Sequence, residues 1–151
     1  MTKDLRSPIC RRGYLARGGE ALALAMLLAD AVPLASAETP CPCRVEVSDV
    51  TAKVGEHAVM LATVRLNEGY RLLEAYNNRV TQLSSWDDGV TFERKVVDAT
   101  VRDGALIFAV GLEPTKPGKH AINGVFRFGY IEDDTMMMVS VPLEASVTGT
   151  E

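Results

Sequence analysis

From residue 45 onward, apolar and polar positions alternate in short runs separated by turn residues. The longest run lies at 116–147. Before an acidic turn, His120, Ile122, Gly124, Phe126, Phe128 and Tyr130 fall on one face, and Ala121, Asn123, Val125, Arg127 and Gly129 on the other. After it, Met137, Val139, Val141, Leu143, Ala145 and Val147 alternate with Met138, Ser140, Pro142, Glu144 and Ser146. A period of two over this length predicts two half-buried strands. The turn between them is Glu132-Asp133-Asp134-Thr135. The fold is expected to be organised around this hairpin.

The rest of the chain repeats the pattern on a smaller scale. Val45, Val47 and Val50 predict a first strand. Ala58, Met60, Ala62, Val64 and Leu66 form one face of a second, followed by the turn Asn67-Glu68-Gly69. Tyr70, Leu72 and Leu73 open a strand that gives way to a loop at Asn77-Asn78. Residues 80–86 predict a short strand with Val80 and Trp86 on one face, closed by the turn signal Asp87-Asp88-Gly89. Val97, Ala99 and Val101 lead into Asp103-Gly104, and Leu106, Phe108, Val110 and Leu112 return from it. An Asp-Gly pair between alternating segments signals a type I′ hairpin, which needs positive φ at both turn positions. Seven to eight strands, turns about every ten residues and almost no helix predict an all-β, immunoglobulin-like antiparallel sandwich over 45–151. The Cys…Trp…Cys framework of antibody-type domains is not there.

The first 37 residues read differently. Arg11-Arg12-Gly13-Tyr14-Leu15 precedes an apolar run over 21–29, and Ala35-Ser36-Ala37 offers a small-residue cleavage site before Glu38. This is the layout of a signal peptide, too short and wrongly flanked to span a membrane. The arginine pair resembles a twin-arginine export signal, but Cys10 stands where that signal usually has serine and Asp30 interrupts the late apolar region, which leaves the general secretory route as the alternative. Either route predicts a periplasmic protein with no membrane attachment after cleavage. Residues 38–44, rich in proline and cysteine, are expected to form a flexible leader.

Charge narrows the partners. Residues 38–151 carry 11 Lys+Arg and 17 Asp+Glu, a net charge of −6. That balance disfavours nucleic acid and anionic membranes. Cys41 and Cys43 are the only cysteines past the cleavage site, two positions apart, so no long-range disulfide is expected.

The last third resembles a known family. Lys116-Pro117-Gly118-Lys119-His120, then Gly124-x-Phe126-x-Phe128-Gly129-Tyr130, a short acidic turn and a strand ending Val141-Pro142-Leu143-Glu144-Ala145-x-Val147 are similar to the N-terminal periplasmic domain of the thiol–disulfide interchange reductase. Asn67-Glu68-Gly69-Tyr70 resembles a turn of the same family. The resemblance implies an immunoglobulin-like fold and a periplasmic location. In that family two cysteines flank the turn and exchange disulfides. Here Tyr130 or Ile131 stands near the first position and Met136 or Met137 near the second. The resemblance therefore does not carry the redox activity with it.

Candidate chemistry is sparse. The only histidines are His57 and His120, and His120 falls on the apolar side of its strand, where a packed strand-end residue is the expected role. No nucleophile-elbow, zinc-protease, phosphate-loop or dinucleotide motif occurs, so no enzyme is expected. The carboxylates give the leading functional expectation. Glu132, Asp133 and Asp134 in one turn and Asp87 and Asp88 in another, completed by Asn78, form an oxygen-rich set for a hard cation of calcium or lanthanide type. If the two turns meet at one end of the sandwich, the chain reads as a metal carrier or chaperone, and a shared ion could drive homodimerisation. The alternative is a protein-interaction module with a periplasmic partner, derived from the redox domain, binding through loops or edge-strand pairing. A lesser alternative is a copper carrier using Met60, Met136, Met137, Met138, His57, His120, Cys41 and Cys43, though methionine also fills cores readily.

Overall fold

The computed structural model describes residues 42–151. The expected signal peptide, its arginine pair, Cys10 and Cys41 lie outside the described residues. The described chain is all-β, with two sheets and eleven strand segments. In chain order these are β1 (Cys43–Val47), β2 (Val50–Lys53), β3 (Ala58–Leu66), β4 (Arg71–Leu72), β5 (Arg79–Ser85), β6 (Val90–Phe92), β7 (Val97–Asp98), β8 (Thr100–Arg102), β9 (Ala105–Pro114), β10 (Gly118–Glu132) and β11 (Thr135–Thr150). One sheet runs β1-β3-β9-β6, with β8 also on β9. The other runs β2-β11-β10-β5-β7, with β4 also on β10.

There are more segments than the alternation predicts, because two strands change sheets partway. β1 pairs with β3 in the first sheet, whereas β2 pairs in parallel with β11 in the second. Between them lie Ser48 and Asp49; Ser48 Oγ donates to the Leu61 carbonyl at 3.1 Å. Likewise β7 pairs with β5 and β8 with β9, and the switch occurs at Ala99, whose N–H donates to the Asn78 carbonyl. Strands that cross between sheets close the corners of a sandwich.

The leader ends earlier than expected. Cys43 already belongs to β1, faces Leu66 and is buried, and the Pro42 carbonyl accepts the Asn67 N–H at 2.8 Å. Backbone pairing to β3 draws these residues into the sheet.

Between the sheets lies one apolar core. Phe108 from β9 meets Phe126 from β10 with ring centroids 5.0 Å apart. Met60, Leu83, Leu112, Phe128, Tyr130 and Leu143 fill the space around them, all essentially inaccessible. The inward faces read from β3, β9 and β10 are the observed ones. β5 departs from expectation. Gln82 has φ 58°, and the register against β10 slips between Asn123 and Val125, so two residues of β5 oppose Gly124. A bulge of this kind shifts the phase of alternation by one. Val80 and Leu83 therefore share the core, and Trp86 is turned outward with 85% exposure rather than lying beside Val80.

The β10–β11 hairpin organises the second sheet. Its register is unbroken from Gly118 opposite Gly149 to Glu132 opposite Thr135. β10 alone carries β4, β5 and β11. Its two ends are the two places where the acidic turns sit.

Candidate functional site

At the base of β10, Asp87 and His120 form a clasp. The turn over 85–89 presents the Asp87 carboxylate to the buried His120 ring. Nδ1 lies 2.7 Å from Asp87 Oδ2, and Nε2 lies 2.8 Å from the Lys116 carbonyl oxygen. Both partners are acceptors, so both ring nitrogens donate and His120 is an imidazolium. The other Asp87 oxygen accepts from Ser85 Oγ at 2.9 Å and from the Gly89 N–H at 3.1 Å. Lys116 Nζ donates to the Asp87 carbonyl, and Thr115 Oγ1 donates to the Asp88 carbonyl.

The electrostatics follow from these bonds. The His120 contact, then the Ser85 hydroxyl, holds the Asp87 carboxyl down at about 2. The Asp87 hydrogen bond, then that of the Lys116 carbonyl, raises His120 above its ordinary value. The ring packs so closely on the turn that a Cβ on Gly89 would collide with Nδ1. A general base needs a ring nitrogen with an available lone pair, and here both are committed to donation. The arrangement fastens the β5–β6 turn to β10.

At the far end, the acidic turn is a hairpin loop. Asp133 has φ 47° and Asp134 φ 61°, and they link the paired residues Glu132 and Thr135. Two positive φ values in a two-residue loop define a type I′ turn. Aspartate is among the few side chains that accept this conformation, so local turn chemistry accounts for the Asp-Asp pair. Asp103 and Gly104, with φ 49° and 70°, make the same turn between β8 and β9, as expected from the sequence.

Asp134 Oδ1 accepts from Arg71 Nη2 at 3.0 Å, with both side chains largely exposed. Asn78 is buried and bridges backbone groups: Nδ2 donates to the Leu73 carbonyl at 3.2 Å, and Oδ1 accepts the Gly129 N–H at 3.0 Å. This fixes the loop over 73–78 across Gly129, where a Cβ would meet Tyr76 Cβ at 2.9 Å. Tyr70 packs edge-on against the buried Tyr130, with centroids 5.5 Å apart.

The two acidic turns do not converge. Asp87 touches His120 near the start of β10, while Glu132 ends that strand. The twelve intervening steps of extended chain, at about 3.3 Å each, set them at opposite ends of the sandwich. Among the described residues, no group of three or more His, Cys, Asp or Glu side chains is gathered as a metal-ligand set. Of the candidate ligands, Asp87 belongs to the clasp, Asn78 supports a loop and Asp134 is paired to Arg71. Asp88 is exposed at the base, while Glu132 and Asp133 are at the tip. The soft donors are likewise scattered. Met60 and Cys43 are buried, His57 sits 3.5 Å from Glu93, and Met136 and Met138 are near the tip.

What the tip displays is apolar as well as acidic. Met136 and Met138 are 72% and 59% exposed on the outer face of β11. Opposite them in register are Ile131 and Gly129, the latter overlaid by Tyr76. Sequence reasoning could find these methionines from parity alone, since Met137 shares the core side. It could not find the Asp87–His120 clasp, whose members stand 33 residues apart.

Comparisons with known proteins add little. No family model matches the chain, and no curated protein does. Among solved structures, AggA, the major subunit of aggregative adherence fimbriae type I from Escherichia coli, superposes with a TM-score of 0.41 at 14% identity, covering 74% of this chain and 97% of that one. A superposition that loose carries no argument about this chain.

Proposed function

We propose that this chain is an exported, non-enzymatic protein-interaction domain whose binding site is the tip of the β10–β11 hairpin. The observation that carries the reading is the pair Met136 and Met138, widely exposed on a strand whose other face is locked in the core. Exposed methionines are adaptable contact residues, and here they stand beside displayed carboxylates on a rigid support. Both ring nitrogens of His120 donate N–H and neither offers a lone pair, which supports the absence of general-base catalysis at the base. Export to the periplasm rests on the arginine pair, apolar run and small-residue site of residues 1–37. The finer fold assignment, an immunoglobulin-like sandwich descended from a disulfide-interchange domain without its cysteines, rests on the motifs over 116–147.

A hard-cation carrier draws less support, because its two acidic turns lie at opposite ends and three of its ligands are engaged within the fold. Two measurements separate the readings. Immobilised protein should retain a stoichiometric partner from periplasmic extract, and the Met136→Ser/Met138→Ser variant should not. Calcium or terbium should leave the melting temperature unchanged, whereas a ligand bound only by the folded state raises it. A metal-dependent rise with partner capture indifferent to the methionines would restore the cation carrier.

A further inference from the structure

The hairpin geometry points to the kind of partner, an inference that rests on the tip being a binding site. We propose that the outer edge of β11, on the tip side of Pro142, takes an added strand from an extended partner segment in which lysine or arginine alternates with apolar residues.

The edge is defined by pairing. β11 spans Thr135–Thr150, but β2 covers only Val147–Thr150. Among the described residues, no other strand pairs with that side of β11. Backbone direction follows from the turn. Glu132 and Thr135 flank a two-residue type I′ loop and so form a hydrogen-bonded pair, after which antiparallel pairs alternate. Odd-numbered residues of β11 bond to β10, and even-numbered ones point their N–H and C=O away. Thr150 checks the parity: its carbonyl faces away from β10 and accepts the Val54 N–H at 2.9 Å. By the same parity Met136 and Met138 direct backbone groups outward.

Pro142 has this parity too. Its missing N–H falls on the outer side, so the β10–β11 ladder loses nothing while the edge loses a donor. Proline on an edge is a device that blocks strand addition. It limits the competent stretch to the tip side, beside the exposed methionines and next to the acidic turn.

Charge selects the occupant. The exposed Asp133 and Asp134 stand at one end of the stretch, Asp134 beside the Arg71 guanidinium, and the exposed Glu144 stands beyond the other. A second copy fits poorly: antiparallel pairing of two β11 edges brings one acidic turn toward the other's Glu144, and residues 38–151 carry −6 each. The leader residues 38–42, Glu-Thr-Pro-Cys-Pro, contain two prolines and no basic residue. A basic, alternating segment satisfies the edge hydrogen bonds, lays apolar groups on Met136 and Met138 and sets a cation against the turn.

The test uses protein purified from its exporting cells and a capped six-residue peptide alternating lysine with valine, with a glutamate–valine peptide as control. The lysine peptide should shift the backbone amide resonances of Met136 and Met138, and bind more weakly as salt rises. Met138→Pro deletes one outward donor and should weaken binding about tenfold, the scale of one lost hydrogen bond, while Met138→Ser keeps that donor. If Met138→Pro does not fold, Asp133→Asn/Glu144→Gln serves instead, and should weaken binding and flatten its salt dependence. Equal binding of both peptides, binding indifferent to these variants, or no binding at all would overturn the inference. Partner capture that still depends on Met136 and Met138 would then leave the interaction-domain reading standing. A dimer in light scattering without peptide, dissolved by Met138→Pro, would name a second copy as the occupant and also overturn it.

Discussion

The two acidic turns at the ends of β10 look alike in the sequence and do opposite things in the fold. At the base, the Asp87 carboxylate accepts from His120, Ser85 and Gly89, and so fastens the β5–β6 turn to the central hairpin. At the tip, Asp133 and Asp134 meet the backbone demands of a type I′ loop, and both are exposed, Asp134 beside Arg71. Adjacent carboxylates therefore say little about a cation site until it is known what the strand register places opposite them. A buried imidazolium makes one turn structural. Its absence leaves the other as displayed charge.

The contrast can be broken most forcefully at the base. Gly89→Ala drives a methyl group into the His120 ring and should destabilise the protein by about 3 kcal/mol, an overpacking cost, measurable by urea unfolding. A change near zero would mean that the clasp is loose. Asn78→Ala should cost about 2 kcal/mol, because it strips the partner from the Gly129 N–H beneath the tip loop. A change near zero would show that the Gly129 N–H finds another acceptor and that Asn78 does not hold the loop.

The clasp also has a pH signature. His120 holds its proton more tightly when folded, so its contribution is complete below the ordinary 6.5 and is lost as pH rises through its raised value. Asp87 is more acidic when folded, so its contribution is present above 3.8 and is lost as pH falls toward about 2. The difference in melting temperature between wild type and Asp87→Asn should be largest between those two values and should shrink in alkali. A difference independent of pH would contradict a charged pair. At the tip the expected effect is the smallest. Asp134→Asn keeps a residue suited to positive φ and removes only an exposed ion pair, so melting should move by less than about 2 °C. A large loss there would erase the distinction between the ends.

Much of this fold was legible because one face of each long strand is apolar, with His120 at the start of β10 the exception. The inward sets of β3, β9 and β10 follow directly from alternation, and Asp103-Gly104 announces its turn. The bulge at Gln82 was not legible, because an inserted residue leaves no compositional mark and surfaces only when Trp86 is found outside. The sheet change at Ala99 was hidden because the alternation of Val97, Ala99 and Val101 continues while the pairing partner changes; at Ser48-Asp49 the step from Val47 to Val50 breaks the period of two, a mark the sequence did carry. The site was legible in part. Parity put Met136 and Met138 on the surface and His120 inside, but Asp87 meets His120 only through tertiary structure. Convergence of the acidic turns failed as an expectation because β10 runs the whole length between them.

The base has one feature that competes with the tip, the exposed indole of Trp86 beside Asp88. The most direct test therefore samples both ends at once, with a photo-activatable residue in place of Met138 in one protein and of Asp88 in another, each irradiated in the living cell. The account predicts a discrete cross-linked partner from position 138 and none from position 88. A partner trapped at 88 and absent at 138 would contradict it.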